Sequence, residues 1–511
     1  MQGSLFIYTA MKKIIATLIL TLFTLTLSAQ GSADACRFSQ TFYQGTAKSL
    51  GMGNAMGAVG GDMTAICINP GGMGLYRSDE LTATINFSDN SIASNYYGND
   101  EKDHKMRVSM PNIGYVHSRQ RSNYKPIRYT QFCIGLTRTN DFNMHTFASG
   151  LNPSSSKIDD YLNQIRYNFY PEGYDGELYT SMFSTTQLEE NASAYTILPA
   201  WSTYLIDLYG EEPHRYYSSP IPQGGINQSF EQEFKGRSEE WDFGYSVNIK
   251  DRFFIGATLA VTYIKRDGIS EFKESMPEDT EIETSFNQWT FTENLSSRGF
   301  GFNGKIGFIW IANPWLRLGA ALHSPSMYSF DESWQTETES RIEWVTSKSF
   351  SPNSSYEYIF ISPLKCLGSA AFVIGQRGMV SLDMEYVNYG MARFKASDYD
   401  YSSVNEAIKA DYGHTMNFRI GTEWRVNDSY LRFGLGYYGS PMGLGKQNGS
   451  VKKASVGLSL PLGSIVTFDL AYELSHGKRQ YTLYDAGSLG IEPVTQSQLR
   501  NVAIATLKIR F

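Results

Sequence analysis

Three groups of residues have types and spacings that invite a chemical reading. Gly51, Gly53 and Gly57 lie in SLGMGNAMGA, superficially a phosphate-cradling loop. A nucleotide loop needs a preceding strand and a different glycine spacing, and neither is present. Glycine at this density instead suits a segment packed against other backbone, where side chains would not fit. Asp383 and Glu385 form a carboxylate pair. Residues two apart share one face of a strand, so a polar interior places them together without any acid–base role. Arg317, Arg419 and Arg432 are cations on strand-like stretches. Inside a lumen a guanidinium can hold a ligand carboxylate or simply pair with a neighbouring acid. No Ser, His and acid combination makes a catalytic group, so the chain is expected not to be an enzyme. The seven His are scattered, and Cys36, Cys67, Cys133 and Cys366 form no C-x-x-C. No metal and no cofactor is expected. A Cys36–Cys67 disulfide and unpaired cysteines are both open.

The elements that would position these residues begin with a leader. Lys12 and Lys13 precede an apolar run from Ile14 to Leu27, then Ser28, Ala29 and Gln30, so residues 1–30 are expected to be a secretory signal peptide. No later stretch reaches the roughly 18 apolar residues of a membrane helix. A net charge of −7 without a long basic run argues against nucleic acid. The aromatic excess, 34 Tyr and 30 Phe beside 46 Gly, suits a membrane barrel with aromatic girdles.

The far end alternates strictly. Ala503, Ala505, Leu507, Ile509 and Phe511 fall on one face, and Val502, Ile504, Thr506, Lys508 and Arg510 on the other. Charges confined to one face mark a strand whose other face meets an apolar medium. The same alternation recurs in about fourteen segments, near 80–88, 106–118, 129–139, 239–250, 252–266, 300–312, 314–324, 364–375, 378–389, 412–426, 429–439, 450–460, 464–475 and 497–511. Tight turns at Lys250-Asp251, Asn313-Pro314, Gln376-Arg377-Gly378, Asn427-Asp428 and Leu462-Gly463 alternate with long polar stretches, roughly 140–238, 267–299 and 325–363. Short periplasmic turns and long extracellular loops have that parity. The fold class is therefore all-β: a transmembrane antiparallel β-barrel of about 14 strands, with twelve to sixteen open and both barrel ends periplasmic. Residues 79–511 are expected to form the barrel; that residues 31–78 are an N-terminal hatch inside its lumen is what the following resemblance implies.

The hatch carries a resemblance. SLGMGNAMGA, then Asp62 to Ala65, then Asn69-Pro70-Gly71-Gly72 running into the first strand, resembles the N-terminal hatch of the FadL/TodX outer-membrane transport family. Arg317-Leu318-Gly319 through His323-Ser324-Pro325, and Arg432-Phe433-Gly434 through Gly439-Ser440-Pro441, are also similar. The match departs at Gly71-Gly72, and Gly31 to Phe42 shows no clear correspondence. What the resemblance implies is a Bacteroidetes-type member that transports long-chain fatty acids or aromatic hydrocarbons. Its hatch, at Gly51, Gly53, Gly57, Asp62, Asn69 and Pro70, would block the straight path, and release would run sideways through the wall. Outer-membrane lipid is an expected partner. So is the barrel assembly machinery, through the strand ending at Phe511.

A capture site is sought in the long connection. Ile197, Leu198, Trp201, Leu205 and Leu208 are apolar, and the last three fall at i, i+4 and i+7, one face of a short helix starting near Pro199. That face is a candidate groove for a hydrophobic ligand; the plainer alternative is a loop helix packed over the barrel mouth. A different function on the same fold is a PorV-like barrel serving as a protein partner in secretion or surface attachment.

Overall fold

The alternation at the C-terminus closes the molecule. In the computed structural model Val502, Ile504, Thr506 and Lys508 are buried, while Leu507 on the other face is 41% exposed. The strand carrying them runs from Val494 to Arg510 and pairs antiparallel with the first strand, Glu80–Tyr96, from Glu80 opposite Arg510 to Asn95 opposite Thr495. The structure describes residues 31–121, 124–169, 193–209, 216–222, 225–278, 284–397, 399–446, 448–485 and 487–511. The expected signal peptide lies outside them.

The wall has fourteen staves. They are β1 (Glu80–Tyr96), β2 (Asn99–Gln120), β3 (Ile127–Asp141) continued by β4 (Met144–Asn152), and, after a small separate hairpin of β5 (Asp207–Tyr209) and β6 (Tyr216–Ser218), β7 (Ile226–Ile249). Then come β8 (Phe253–Ser275), β9 (Phe286–Asn313), β10 (Leu316–His323) continued by β11 (Met327–Ile342), and a stave built from β12 (Val345–Phe350), β13 (Ser354–Ile361) and β14 (Lys365–Ile374). The circuit ends with β15 (Gly378–Asn388) and β16 (Arg393–Lys395), β17 (His414–Val426), β18 (Ser429–Tyr438), β19 (Val451–Leu462), β20 (Val466–Tyr481) and β21 (Val494–Arg510). Every segment expected from the sequence lies on one of these staves, and the five expected tight turns fall at their junctions.

The long connections are shorter than expected, because strands continue into them. β8 runs to Ser275 and β9 begins at Phe286, far past the expected limits of 266 and 300. Near the short turns, outward residues are apolar and inward ones polar. Higher up the polarity reverses: Lys265 and Asp267 point out, while Ile264, Phe272, Phe291 and Phe330 are buried inside. The inward-polar alternation of the lower strands ends at that reversal. The first long-end connection is also not a loop. β1 and β2 meet at Tyr97-Gly98, both with positive φ (46° and 77°), the backbone of a two-residue hairpin turn.

Residues 31–79 fill the lumen near the short turns. Helix α1 (Ser32–Ser39) buries Ala35, Phe38 and Ser39, while helices α2 (Ala47–Gly51) and α3 (Met63–Ile68) and a 3-10 turn, Pro70–Leu75, are buried along most of their length. They fit because the wall carries almost no side chain where they touch it. Gly256 and Gly307, opposite each other on β8 and β9, lie against Asn69 and Pro70. Gly421 and Gly434, opposite on β17 and β18, receive Met52 and Gly53. Gly114 and Gly135 face Met63, Gly319 faces Gly57, and Gly457 faces Gly51. A Cβ on Gly434 would land on the backbone of Gly53. Gly434→Ala is therefore expected to destabilise the barrel by about 1–3 kcal/mol. Gly368→Ala, whose Cβ meets nothing within 4 Å, should stay within about 0.5 kcal/mol of the parent. Thermal unfolding in detergent, followed by gel mobility, compares the two.

Candidate functional site

The hatch is fastened by a few polar contacts at defined points. Asp62 caps α3 by accepting from the Thr64 backbone N–H (3.0 Å), accepts from the Thr46 hydroxyl (2.6 Å), and accepts from Lys508 Nζ on β21 (3.0 Å). Lys508 also reaches Asp469 (3.0 Å), which lies 3.6 Å from Arg432. Asn69 donates to the carbonyls of Gly57 (2.6 Å) and Phe308 (3.1 Å), and its Oδ1 accepts from the Gly71 N–H (3.0 Å). Pro70 opens the 3-10 turn where no donor is needed. Asp383 accepts from the Gly57 N–H (3.0 Å), so one of the two paired carboxylates anchors the hatch. All six hatch residues expected from the sequence therefore lie at hatch–wall or intra-hatch contacts.

The three lumen arginines point inward. Arg419 is held by Glu385 (3.3 Å) and Asp383 (3.8 Å), and Arg432 by Glu423 (2.5 Å). Arg317 is part-buried and donates to the Val59 carbonyl of the hatch (3.5 Å). Arg419 and Arg432 are matched by wall carboxylates, and neither presents a bare cation to a ligand. The Cys36–Cys67 bond does not form: both are free thiols, and Cys67 donates to Asp242 (2.9 Å).

Above the hatch the lumen is aromatic. α1 enters it, and Phe38 stacks on Phe330 (4.8 Å between ring centres) with Phe360 (6.0 Å) and Phe142 (6.2 Å) edge-on. Phe330 stacks on Tyr358 (5.2 Å), and Phe394 closes on Phe360 (5.1 Å) and Tyr358 (5.4 Å). This slot lies apart from the charged lumen positions expected from the sequence. Its signal was present as Tyr328-x-Phe330 and Tyr358-x-Phe360, alternating pairs on β11 and β13 that face one another.

The residues chosen as a capture groove are in the cap above. The helix there, α5 in chain order after α4 (Lys157–Phe169), spans only Ile197–Ser202. Leu205 follows it and Leu208 is on β5, so the three residues do not share a helical face. Ile197 and Leu205 are buried, and Leu198 and Trp201 partly buried, in a cluster with Tyr96, Tyr161, Phe272, Trp289 and Phe291. Their apolar surface is turned into the cap's own core.

One interface in the wall is incomplete. β2 pairs with β3 from Gln120 opposite Tyr129 to Asn112 opposite Thr137. Past that point, among the described residues, β2 shares no ladder with β3 or β4, which continue instead along β7. The break falls at Met110-Pro111, where the β1–β2 register also shifts, and proline has no N–H to offer a ladder. Met106, Val108 and Met110 on this stretch face outward and are 60%, 68% and 50% exposed. Val108 lies opposite Phe87, itself an outward apolar residue.

This geometry has relatives among solved structures. The toluene transporter TodX of Pseudomonas putida aligns over 93% of this chain and 99% of its own, with 11% identity and a TM-score of 0.52. A FadL homologue of Pseudomonas aeruginosa aligns over 92% and 99%, with 11% identity and a TM-score of 0.54. The chain has the FadL/TodX barrel fold. No protein-family model matches the sequence, and no curated protein does. The FadL/TodX fold thus persists here through architecture at a very low identity.

Burial alone would raise the Asp62 carboxyl, but the Lys508 and Lys48 charges and the Thr46 hydroxyl outweigh it and hold it below the ordinary 3.8. A depressed carboxyl stabilises the fold above its unfolded value, and that contribution disappears as pH falls through the lower folded value. Asp62→Asn is expected to cost about 3 kcal/mol at neutral pH. The deficit against the parent should shrink below pH 3.8. Melting curves of both proteins between neutral and acid pH measure it, and a deficit that persists unchanged in acid would contradict the latch.

Proposed function

We propose that the protein is an outer-membrane channel for hydrophobic compounds, long-chain fatty acids or aromatic hydrocarbons, with release through the side of the barrel. The observation that carries this reading is the aromatic slot around Phe38, set directly above a hatch that shuts the straight path. An apolar solute gains nothing from a water-filled channel but follows apolar surface. The inside-out polarity of the wall near the short turns suits a bilayer exterior. In this reading residues 1–30 direct export and the strand ending at Phe511 meets the assembly machinery. Both barrel ends then face the periplasm. The names of TodX and the FadL homologue, a toluene transporter and a relative of a transport channel, agree with this substrate class.

The slot's present occupant is chemically informative, because a phenylalanine side chain is a toluene with one bond to the chain. Phe38→Ala should leave a ring-sized void, as large-to-small changes do in dry apolar cavities, and such voids take up benzene-like molecules. The variant is expected to retain toluene at least several-fold more strongly than the parent, measured by equilibrium partitioning into the purified barrel. The wider reading is tested by mass spectrometry of organic extracts from barrel purified out of native membranes. Enriched fatty acids or hydrocarbons support it. Detergent alone, with a stoichiometric protein partner, would overturn it in favour of a secretion role.

A further inference from the structure

We infer that a row of cations on the outer face of β7, β8 and β9 binds the phosphate-bearing sugar headgroup of a glycolipid in the surrounding outer leaflet. This rests on the barrel standing in an outer membrane with its long connections outside; it is independent of uptake.

The row is set by strand register. Arg237 on β7 stands opposite Lys265 on β8, and Lys265 stands opposite Arg298 on β9. The three side chains point out of the barrel and are 36%, 38% and 35% exposed. Lys235, the next outward position above Arg237, adds a fourth charge and is 65% exposed. Like charges directly opposite on a sheet repel and weaken its pairing. Nearby acids relieve this only in part. Asp267 meets Arg298 (2.7 Å) and Lys265 (3.4 Å), Glu239 meets Arg237 (2.8 Å), and Glu233 meets Lys235 (3.2 Å). Glu239 is shared with Arg138 (2.8 Å) and Glu233 with Lys105 (2.7 Å). Even with Asp331, across from Arg298 on β11, six cations meet four carboxylates. An anion from outside the chain completes the balance.

The height of the row fits a lipid headgroup. One outward position below it are Tyr263 on β8 and Phe300 on β9, and further down Leu259, Phe302 and Ile306 face outward. Aromatic rings mark the edge of the hydrocarbon, and the headgroups begin just past it. Lys and Arg at that level attract anionic lipid, and Arg can grip a phosphate through two parallel N–H donors.

A recess directly above the row selects the kind of headgroup. It encloses about 350 Å³, within the range of roughly 300–1,000 Å³ typical of small-molecule pockets. Its outward side chains are Asp267, Ser296 and Ser333 on one rung and Ile269, Asn294 and Gln335 on the next. Hydroxyl and amide groups around one apolar side chain suit a sugar ring, which carries hydroxyls on its rim and C–H groups on its faces. A sugar seated there lays its phosphate on the cation row, and its acyl chains run down past Phe300 and Phe302. A glycerophospholipid offers no ring to fill the recess.

The test uses the full chain, purified in detergent and stripped of lipid, with lipid A, an acylated and phosphorylated glucosamine disaccharide, as the probe. Dephosphorylated lipid A and phosphatidylglycerol are the comparison lipids. Native mass spectrometry counts retained lipid, and heat-shifted gel mobility verifies folding and gives the melting temperature. The parent should retain lipid A about tenfold more strongly than either comparison lipid, and melt several degrees higher in its presence. Lys265→Gln with Arg298→Gln should lose both effects, whereas Lys348→Gln, a cation on β12 away from the row, should keep them. Ser296→Trp, which fills the recess, should weaken retention of lipid A and leave phosphatidylglycerol unchanged. Retention of lipid A by the double variant, or of phosphatidylglycerol as strongly as lipid A by the parent, overturns the assignment. Uptake would still stand, because the row lies outside the lumen; uptake fails only if extracts of the native barrel hold detergent alone.

Discussion

The whole arrangement depends on backbone meeting backbone inside the barrel. A fourteen-stave lumen is wide enough to need filling, and here the filling is the chain's own N-terminal segment. It fits only because the wall presents glycine where the hatch presents glycine, proline or a small turn. Gly256 and Gly307 under Pro70, and Gly421 and Gly434 under Gly53, bring the two main chains into contact from opposite sides of the lumen. Close packing of this kind tolerates no added methyl without a shift of backbone.

The polar contacts then set where the hatch sits. Lys508 on the last strand holds Asp62, and Asp383 holds the Gly57 N–H, so the hatch is tied to staves on both sides of the barrel. Asp62 and Asp469 with Lys508, Asp383 and Glu385 with Arg419, and Glu423 with Arg432 are paired, which is the condition under which buried charge is tolerated. The result is a firm floor. Above it lies a layer of a different character, where Phe38 occupies a slot of rings held mainly by stacking and edge contacts.

Around floor, slot and cap the wall is not uniform in its pairing. Among the described residues most strand interfaces around the barrel are ladders, while β2 and β4 run side by side without one. Pro111 is the residue that makes the difference, since it ends the pairing of β2 just above the level where Gly114 lies over Met63.

The alternation of residues such as Lys508 with Leu507, and of Arg419 with Ile420, pointed to a barrel of about fourteen strands, with twelve to sixteen open, while the structure decided the count and which face looks inward. The alternation is a period of two residues, which any single strand displays by itself. The glycines of the hatch were legible for the same local reason, as positions where a side chain would be excluded. Three things were not legible. The upper strands were hidden because polarity reverses outside the apolar belt, so Phe272 and Phe330 point inward where charges were sought. The apolar group around Trp201 looked like a free surface, but it belongs to the cap's core, which assembles from segments far apart in the chain. The slot and the incomplete interface arise from Phe38 meeting Phe330, and from β4 leaving β2 to follow β7. Local sequence therefore determined the wall and the material of its plug. Only the tertiary structure decided what lies beside what across the lumen, because those contacts join residues hundreds of positions apart and leave no periodic trace.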